Sequence, residues 1–205
     1  MAAAPAPEHV DVLIVGAGLS GIAAGRYLRT RLPAKRFAIL EARRAIGGTW
    51  DLFRYPGVRS DSDLATYAYA FKPWTRERTL ASGEEILGYL RETVAEHGLE
   101  RDIRLGHRVV RAAWSSADAR WTVEVEVEPG DGGPPRRGRM TCGFLFCASG
   151  YYRYDEGHRP DLPGAERFAG TIVHPQHWPA DLEWAGRRIV VIGSGATAVT
   201  LVPAL

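Results

Sequence analysis

The stretch that decides the fold is VDVLIVGAGLSG, residues 10–21, in which a short apolar run leads directly into three glycines. The run of mostly β-branched residues predicts a buried strand, Gly16 and Gly18 a tight turn, and Gly21 the first turn of a helix. A helix N-terminus reached through such a turn presents backbone N–H groups to a pyrophosphate. The stretch predicts a dinucleotide-binding unit, although glycine-rich turns also serve close packing of a helix on a strand.

The same glycine spacing returns in RRIVVIGSGATA, residues 187–198. Here Arg188 to Ile192 predicts a second parallel strand, and Ala196 to Leu205 predicts the start of its helix. Two such motifs in one chain indicate two dinucleotides, and hence electron transfer between them. Because a βαβ unit takes about 30 residues, we expect the second unit to be incomplete and the chain to be the front part of a longer protein.

The residues between the two motifs predict the rest of an α/β domain. The predicted elements are a helix over 19–31, a strand over 36–41, a helix over 84–97, a strand over 103–109, an antiparallel strand over 111–128 and a buried strand over 140–148. Ser82 and Glu85 have the spacing of a capping box at the start of the second helix, and Gly98 ends it. The segment PGDGGPPRRG, residues 129–138, is expected to be a loop.

The composition is that of an ordinary globular chain. Its 205 residues, 45% hydrophobic and 24% charged, can bury one core and part of a second. A net charge of +2 gives no reason to expect a nucleic acid or an anionic membrane as partner, and no apolar run is long enough for a membrane span. Cys142 and Cys147 would point to opposite faces of a strand. We therefore expect no disulfide and a cytoplasmic location.

Two polar residues near the first glycine turn are candidates for contact with a dinucleotide. Glu41 ends the second strand, 20 residues after Gly21, where an acid accepts hydrogen bonds from an adenosine ribose. Ser20 lies in the first helical turn, where its hydroxyl and N–H can reach the pyrophosphate. The alternatives are a solvated carboxylate at a strand end and a surface serine at a helix start.

The stretch GGTWDLFRYPGVRSDSD, residues 47–63, belongs to a connection of a length that is usually functional. Its paired glycines let the backbone pass close to a ligand. Thr49, Trp50 and Asp51 then offer a hydroxyl, an aromatic face and a carboxylate. The alternative is a plain Ω-loop.

A third stretch, FAGTIVHPQHWP at residues 168–179, contains two histidines. His174 and His177 are three apart across a proline, with no cysteine and no third ligand at the usual spacing, so we expect no metal. A role in joining two cofactor domains is favoured over that of a histidine satisfied within a linker.

The pattern F-x-G-x-x-x-H-x-x-x-W-P in this stretch, lying between two dinucleotide motifs, resembles the fingerprint of type I Baeyer–Villiger monooxygenases, which are class B flavin-containing monooxygenases. Residues 47–63, 149–157 and 192–205 are especially similar to the ethionamide-activating branch of that family. The resemblance runs from about Val10 to Leu205 and covers only the N-terminal portion of a family member.

The resemblance implies a Rossmann-like FAD-binding domain with a β-meander insertion, followed by the start of a Rossmann-like NADP-binding domain. On this basis residues 1–9 are a disordered tail and residues 10–150 are the N-terminal part of the FAD-binding domain. Residues 151–205 are a linker that carries the fingerprint, followed by the beginning of the NADP-binding domain.

The resemblance also assigns roles to individual residues. The ADP part of FAD would be bound by Gly16, Gly18, Ser20, Gly21 and Glu41, with the backbone of Val109 against the adenine. The flavin side would be lined by Thr49, Trp50, Asp51 and Leu52, and the loop that approaches both flavin and nicotinamide would be Arg59, Ser60 and Asp61. The NADP pyrophosphate would be held by Gly193, Ser194, Gly195, Ala196, Thr197, Ala198, Val199 and Thr200. Asp61, paired with an arginine beyond Leu205, and His174 would be catalytic.

The chemistry implied by the resemblance is monooxygenation with FAD and NADPH. NADPH reduces the flavin, and the C4a-peroxyflavin formed with O₂ inserts one oxygen atom into a ketone, giving an ester or lactone, or transfers it to the sulfur of a sulfide or thioamide. NADP preference rests on the resemblance alone, because no basic residue that would select the 2′-phosphate lies within the chain. The family's Ala-Thr-Gly linker motif reads Ala148-Ser149-Gly150 here.

Three other interpretations differ in class. A flavin-dependent disulfide reductase would carry a cysteine directly after Gly47-Gly48, where this chain has Thr49. Flavin-containing monooxygenases that oxygenate nitrogen and sulfur usually lack the Trp-Pro ending. A catalytically inactive FAD-binding fragment is the third, since the 205-residue chain is expected to be partly disordered after about Tyr151 and inactive by itself. The substrate and the oligomeric state are not indicated.

Overall fold

The computed structural model describes residues 6–130 and 132–205 of the chain. Its strands are β1 (Glu8–Val15), β2 (Phe37–Glu41), β3 (Ile103–Leu105), β4 (His107–Ser115), β5 (Arg120–Val127) and β6 (Arg136–Cys147). Its helices are α1 (Leu19–Arg31), α2 (Thr49–Leu52), α3 (Leu64–Tyr67), α4 (Gly83–Glu96) and α5 (Ala196–Ala204). The predicted α/β class is confirmed, and so is the helix over 19–31.

The strands form one mixed sheet in the order β3-β2-β1-β6-β5-β4. β1 is central and pairs in parallel with both β2 and β6, so that Leu13 lies beside Ala38 on one side and Leu145 on the other. β5 pairs antiparallel with both β4 and β6, so the three strands form a meander. The parallel strands are β1, β2, β3 and β6, and β6 is reached through β4 and β5. This is the Rossmann-like arrangement with a β-meander insertion that the family resemblance implied.

Each face of the sheet has its own core. On one face Ile14 and Ile39 pack against α1 through Ala24 and Leu28. On the other face Leu13 and Leu40, with the other apolar residues of the parallel strands, pack against those of β5 and β6. Full burial of each such aliphatic side chain contributes about 1.5–3 kcal/mol, so the alternating faces of β1 fix both layers at once.

Two predicted strands are each interrupted by a turn. The strand predicted over 103–109 is broken at Gly106, whose φ of +68° turns the chain from β3 into β4. The long strand predicted over 111–128 is a hairpin of β4 and β5, with Ala119 in the left-handed region at φ 50°. The apolar alternation was right for both arms of the hairpin, but residues 116–119 carry none of the glycine or asparagine that would mark a turn.

Three further predictions were wrong in detail. Residues 188–192 form no strand. A strand requires a hydrogen-bonded neighbour, and no described part of the chain pairs with this segment. The strand over 140–148 is buried only at its start, and Phe144 is 59% exposed. In the tail predicted over 1–9, Glu8 and His9 already belong to β1, whereas residues 1–5 lie outside the described residues, as does Asp131 of the predicted loop 129–138.

The chain divides into two compact units. The first consists of the residues up to Gly48 together with Tyr89–Gly150, and the second of Thr49–Gly88 together with Tyr151–Leu205. The first unit contains the sheet, and the second contains the connection 49–82, the fingerprint and the second glycine turn. The assignment of a cofactor to each predicted domain remains a prediction.

Two expectations from the sequence concern the cysteines, for which no disulfide was expected, and the absence of a membrane-spanning segment. Cys142 is buried and Cys147 exposed, and both thiols are free. Burial raises the pKa of the Cys142 thiol. Among the described residues, no helix combines the length and the apolar character that crossing a bilayer requires.

Candidate functional site

Two glycines of the first turn are required by the fold itself. Gly16 has a φ of +104°, and a Cβ there would lie 2.5 Å from the carbonyl oxygen of Ala148. A Cβ on Gly21 would collide with the carbonyl oxygen of Gly16. These two positions hold β1, β6 and the first turn of α1 at contact distance, so their glycines alone would indicate only close packing.

Gly18 differs from both. Its φ of −81° is available to any residue, and the nearest heavy atom to a Cβ built there is the Gly48 Cα, 3.7 Å away. Nothing in the protein therefore requires glycine at this position, which is the N-cap of α1. The first turn of α1 carries no acidic residue, and Ser20 is exposed there. A phosphate group seated against the N-terminus of α1 would explain why a side chain is absent.

Glu41 lies at the carboxyl end of β2, beside this turn, as the sequence predicted. Its side chain is buried, Oε2 accepts the N–H of Ala17 at 2.8 Å, and Oε1 accepts the N–H of Arg43 at 2.9 Å. The carboxylate thus ties the glycine turn to the end of β2. Each oxygen keeps a second lone pair, so the group can still accept a hydrogen bond from a ribose hydroxyl.

Val109 lies on β4, opposite Val125 of β5, next to a bulge between Val109 and Arg111. Its side chain packs against the core cluster that contains Leu40, the residue before Glu41. This places Val109 in the same unit as the glycine turn. The contact of its backbone with an adenine stays a prediction.

The residues assigned to the flavin side fall in the second unit. Thr49, Trp50, Asp51 and Leu52 form α2. The indole N–H of Trp50 donates to the hydroxyl of Tyr67 at 3.1 Å, and the two rings pack edge to face. The buried carboxylate of Asp51 pairs with Arg54 at 2.9 Å. Trp50 and Asp51 are therefore held by partners within their own segment.

The loop assigned to approach both cofactors contains one buried and one exposed residue. Arg59 forms an isolated β-bridge with Ser82, and Ser60 is buried, with its N–H donating to the carbonyl oxygen of Ala81 at 2.9 Å. Asp61 follows on the surface, and it forms no ion pair with any described residue. The fixed backbone at Arg59 and Ser60 presents the Asp61 carboxylate to solvent.

The second glycine turn leads into α5. Gly193 has a φ of +139° and Gly195 is the N-cap, and a Cβ at either position would meet nothing within 4 Å. Ser194, Ala196 and Val199 are exposed, whereas Thr200 is buried. The space around this turn is thus open, as a ligand at the N-terminus of α5 would require.

The sequence analysis assigned no role to the Tyr55-Pro56-Gly57 turn, which contacts α5. The Tyr55 hydroxyl lies 3.0 Å from Oγ1 of Thr200, and Phe53, Tyr55 and Leu201 form a buried cluster. A Cβ on Gly57 would lie 2.5 Å from the carbonyl oxygen of Thr200. The only signal in the sequence was a Pro-Gly pair, which is typical of a turn and says nothing about its neighbour.

The fingerprint residues have identifiable structural partners. Nδ1 of His174 accepts the N–H of Gln176 at 3.2 Å and so caps the 3₁₀ turn Pro175–His177. Partial burial lowers the pKa of His174 below its usual 6.5. Trp178 packs against the cluster of Phe53, Tyr55 and Leu201. The catalytic role assigned to His174 stays a prediction.

His174 is also closely packed against a glycine. A Cβ on Gly157 would collide with the His174 ring.

In the part of the chain that the structure describes, no three histidines, cysteines or carboxylates come together as a metal site would require.

Comparison with known proteins identifies relatives of the chain. The model of the NAD(P)-binding Rossmann-like domain matches residues 14–76. The FAD-containing monooxygenase EthA of Mycolicibacterium smegmatis is 54% identical over 198 residues, which are 97% of this chain and 39% of that protein. By sequence, this chain is related to the FAD-containing monooxygenases. It spans about two fifths of the length of these monooxygenases and matches their N-terminal portion.

Solved structures of monooxygenases share the fold. A steroid monooxygenase bound to NADP superposes with a TM-score of 0.77 at 33% identity, covering 95% of this chain and 36% of that one. A cyclohexanone-bound cyclohexanone monooxygenase gives a TM-score of 0.79 at 28% identity, covering 97% and 37%. The resemblance drawn from the fingerprint is thereby confirmed for the monooxygenase family and for the fold.

Proposed function

We propose that the chain is the cofactor-binding part of an FAD- and NADPH-dependent monooxygenase that inserts one oxygen atom of O₂ into ketones or transfers it to sulfur. The observation that carries the proposal is Gly18 at the N-terminus of α1, where φ is ordinary and a Cβ would make only an ordinary van der Waals contact, 3.7 Å from the Cα of Gly48. Backbone packing accounts for Gly16 and Gly21 but leaves Gly18 unexplained, and a pyrophosphate bound at the N-terminus of α1 supplies the reason there.

In this proposal, the candidate residues of the first unit bind different parts of FAD. The N–H groups at the start of α1 and the Ser20 hydroxyl bind the pyrophosphate of FAD. Glu41 orients the glycine turn through Ala17 and accepts the ribose hydroxyls with its remaining lone pairs. When bound, FAD supplies the redox chemistry, because it accepts hydride from NADPH and activates O₂.

In the second unit, the turn at Gly193 and Gly195 and the start of α5 bind the NADPH pyrophosphate. His174 holds the fingerprint segment in shape, since its ring caps the turn before Trp178. Asp61, exposed and without an ion pair among the described residues, provides a carboxylate for a cationic partner. Trp50, Asp51 and their neighbours in α2 line the flavin side.

The substrate class follows from the relatives rather than from the cavities of this chain. One structural relative is a cyclohexanone monooxygenase with cyclohexanone bound, which supports a ketone. Sulfur in a sulfide or thioamide is the other acceptor that the same oxygenated cofactor can serve. Comparing the products formed from cyclohexanone and from a thioamide by the whole protein, with NADPH and O₂, distinguishes the two.

The FAD site is tested by two substitutions at Gly18. In Gly18→Asp an acidic N-cap strengthens the start of α1 by about 0.5–1 kcal/mol, while its charge repels the pyrophosphate. Gly18→Val fills the same space without charge. We expect both purified proteins to lack the flavin absorbance bands, and Gly18→Asp to unfold no earlier than apoprotein of the wild type in urea.

Gly138→Ala is the matched control, because Gly138 lies on β6 in the same unit and a Cβ there meets nothing within 4 Å. It should retain stoichiometric FAD. Stoichiometric FAD in Gly18→Asp and Gly18→Val would refute the site.

A further inference from the structure

The amino ends of the parallel strands enclose a cavity that the proposed cofactor chemistry does not use. It has a volume of about 550 Å³, within the usual range of small-molecule sites. It is lined by Glu8, Val10, Arg29, Pro33, Lys35, Arg36, Phe37, Arg101, Asp102 and Arg104. All of these belong to the first unit. β1 and β2 begin at this cavity, whereas Gly18 and Glu41 lie at the carboxyl ends of the same strands. The cavity and the glycine turn are therefore at opposite ends of the parallel strands.

The lining of the cavity is strongly basic. It contains five cationic side chains and two carboxylates, which gives 5 − 2 = +3. Asp11, outside the lining, pairs with Lys35 at 3.3 Å and reduces the balance to +2. An excess of positive charge in a concave space attracts anions more strongly than the same charges on a flat surface.

Both acidic groups of the cavity are already neutralised. Glu8 accepts two hydrogen bonds from Arg104, at 2.6 and 2.7 Å, and this pairing lowers the pKa of Glu8. Asp102 pairs with Arg29. These two ion pairs account for one guanidinium each, so neither carboxylate is left to repel an anion in the cavity.

Two guanidinium groups remain. The side chains of Arg36 and Arg101 form no hydrogen bond or ion pair with any described residue. The Nε of Arg29, which is buried, also has no acceptor among the described residues. Arg29 lies in the last turn of α1, where a cation offsets the helix dipole, so its charge alone indicates no ligand. Arg36 and Arg101 are exposed to solvent and pair with no carboxylate among the described residues, so both guanidinium groups are accessible to a ligand.

From this arrangement we infer that the cavity binds a small anion with several negative charges, of the di- or triphosphate class. Planar guanidinium forks bind phosphate oxygens in pairs, and two unpaired forks with the Lys35 ammonium match the successive phosphates of such a chain. Val10, Pro33 and Phe37 supply the apolar part of the lining.

Inorganic triphosphate is the probe, measured by calorimetric titration of the FAD-loaded protein. The double variant Arg36→Gln/Arg101→Gln should lower its affinity by about tenfold or more, because each charge-assisted hydrogen bond is worth about 1.5–3 kcal/mol. Neither side chain has a structural partner, so the melting temperature should not change. The matched control is Arg108→Gln/Arg111→Gln, which removes the same charge from two exposed residues of β4 outside the cavity.

Three results would overturn the inference. Equal losses of affinity in the two double variants would indicate attraction to the overall charge. Triphosphate binding that appears only in the FAD-free protein, and that is retained in Arg36→Gln/Arg101→Gln, would assign the anion to the glycine turn. Tighter binding of a long single-stranded RNA than of triphosphate, equally sensitive to Arg36 and Arg101, would indicate a macromolecular ligand instead.

Discussion

At the scale of single residues, the glycines of one motif have different causes. Gly16 and Gly21 are fixed by the approach of protein backbone, while a Cβ at Gly18 would meet the protein only at an ordinary contact distance. A pattern of letters cannot separate these causes, since all three read alike in the sequence. The separation matters for experiment, because substitutions at Gly16 or Gly21 would disturb folding and only Gly18 reports on the ligand.

His174 allows a pH prediction. Its pKa in the folded protein lies below 6.5, because burial and the nearby side chains of His177 and Arg159 disfavour the charged ring. The unfolded chain therefore binds more protons than the folded one below pH 6.5, and the linkage relation makes stability fall as pH falls. The contribution is fully present above pH 6.5 and is lost as pH drops through the lower, folded-state pKa.

The measurement is the urea unfolding free energy at several pH values between 7.5 and 5. His174→Asn keeps an acceptor for the N–H of Gln176 but does not titrate, so it should lose less stability than the wild type over this range. His177→Asn, at the exposed neighbouring position, removes one of the groups that lower the pKa of His174, so its loss of stability should lie between those of the wild type and His174→Asn. If His174→Asn has the wild-type slope, the histidine is not the group responsible.

At the scale of elements, the Tyr55-Pro56-Gly57 turn fixes the position of α5. The turn contributes a hydroxyl to Thr200 and a left-handed glycine whose missing Cβ leaves room for the Thr200 carbonyl. Trp178 of the fingerprint packs on the same cluster. The Tyr55-Pro56-Gly57 turn and Trp178 of the fingerprint thus both take part in the packing around α5, the helix that follows the second glycine turn.

Gly57→Ala should destabilise the protein by more than backbone strain alone. A left-handed φ of +79° costs a non-glycine residue about 1–3 kcal/mol, and the new Cβ would also meet Thr200 and Ala204. Gly186→Ala is the matched control, with a φ of +72° and nothing within 4 Å. Urea unfolding should show a larger loss for Gly57→Ala, and equal losses would mean that the contact with α5 contributes nothing.

Local patterns predicted most elements, and the failures have two kinds of cause. The capping box is formed, with Ser82 N–H donating to Glu85 at 2.8 Å and Glu85 N–H to Ser82 Oγ at 3.2 Å. Helix 19–31 and the parallel pairing of β1 also follow from periodicity and glycine placement. Three failures depended on partners distant in sequence, namely the pairing of residues 188–192, the cover over Phe144 and the contact of Tyr55 with Thr200. The two missed turns, at Gly106 and Ala119, are local and interrupt otherwise continuous strand patterns.

The candidate site was predicted to a similar extent. Glu41 was expected beside the glycine turn, and its carboxylate does bond to Ala17 there. Its second bond, to Arg43, and the capping role of His174 were not foreseen, because both depend on loop conformations that carry no periodic signal. Roles assigned through the family resemblance remain predictions at each residue.

At the scale of the whole molecule, hydrogen bonding is unevenly distributed along the chain. The six strands form continuous ladders in one sheet. Residues 188–194, by contrast, have neither strand partners nor a helix, and Val190 is 85% exposed. Stability in proteins varies locally in the same way, since amides open most readily where few hydrogen bonds and little burial protect them.

Amide hydrogen exchange read by peptide mass spectrometry tests this distribution. We expect peptides from β1 and β6 to exchange only through large openings, and the peptide over 188–194 to exchange within seconds, while α5 is intermediate because Thr200 and Leu201 are buried. The same measurement with added NADP⁺ tests the second glycine turn. If added NADP⁺ slows exchange in 188–198 but leaves β1 unchanged, the second glycine turn binds the dinucleotide. Slow exchange over 188–194 in the ligand-free protein would contradict the absence of a paired strand there.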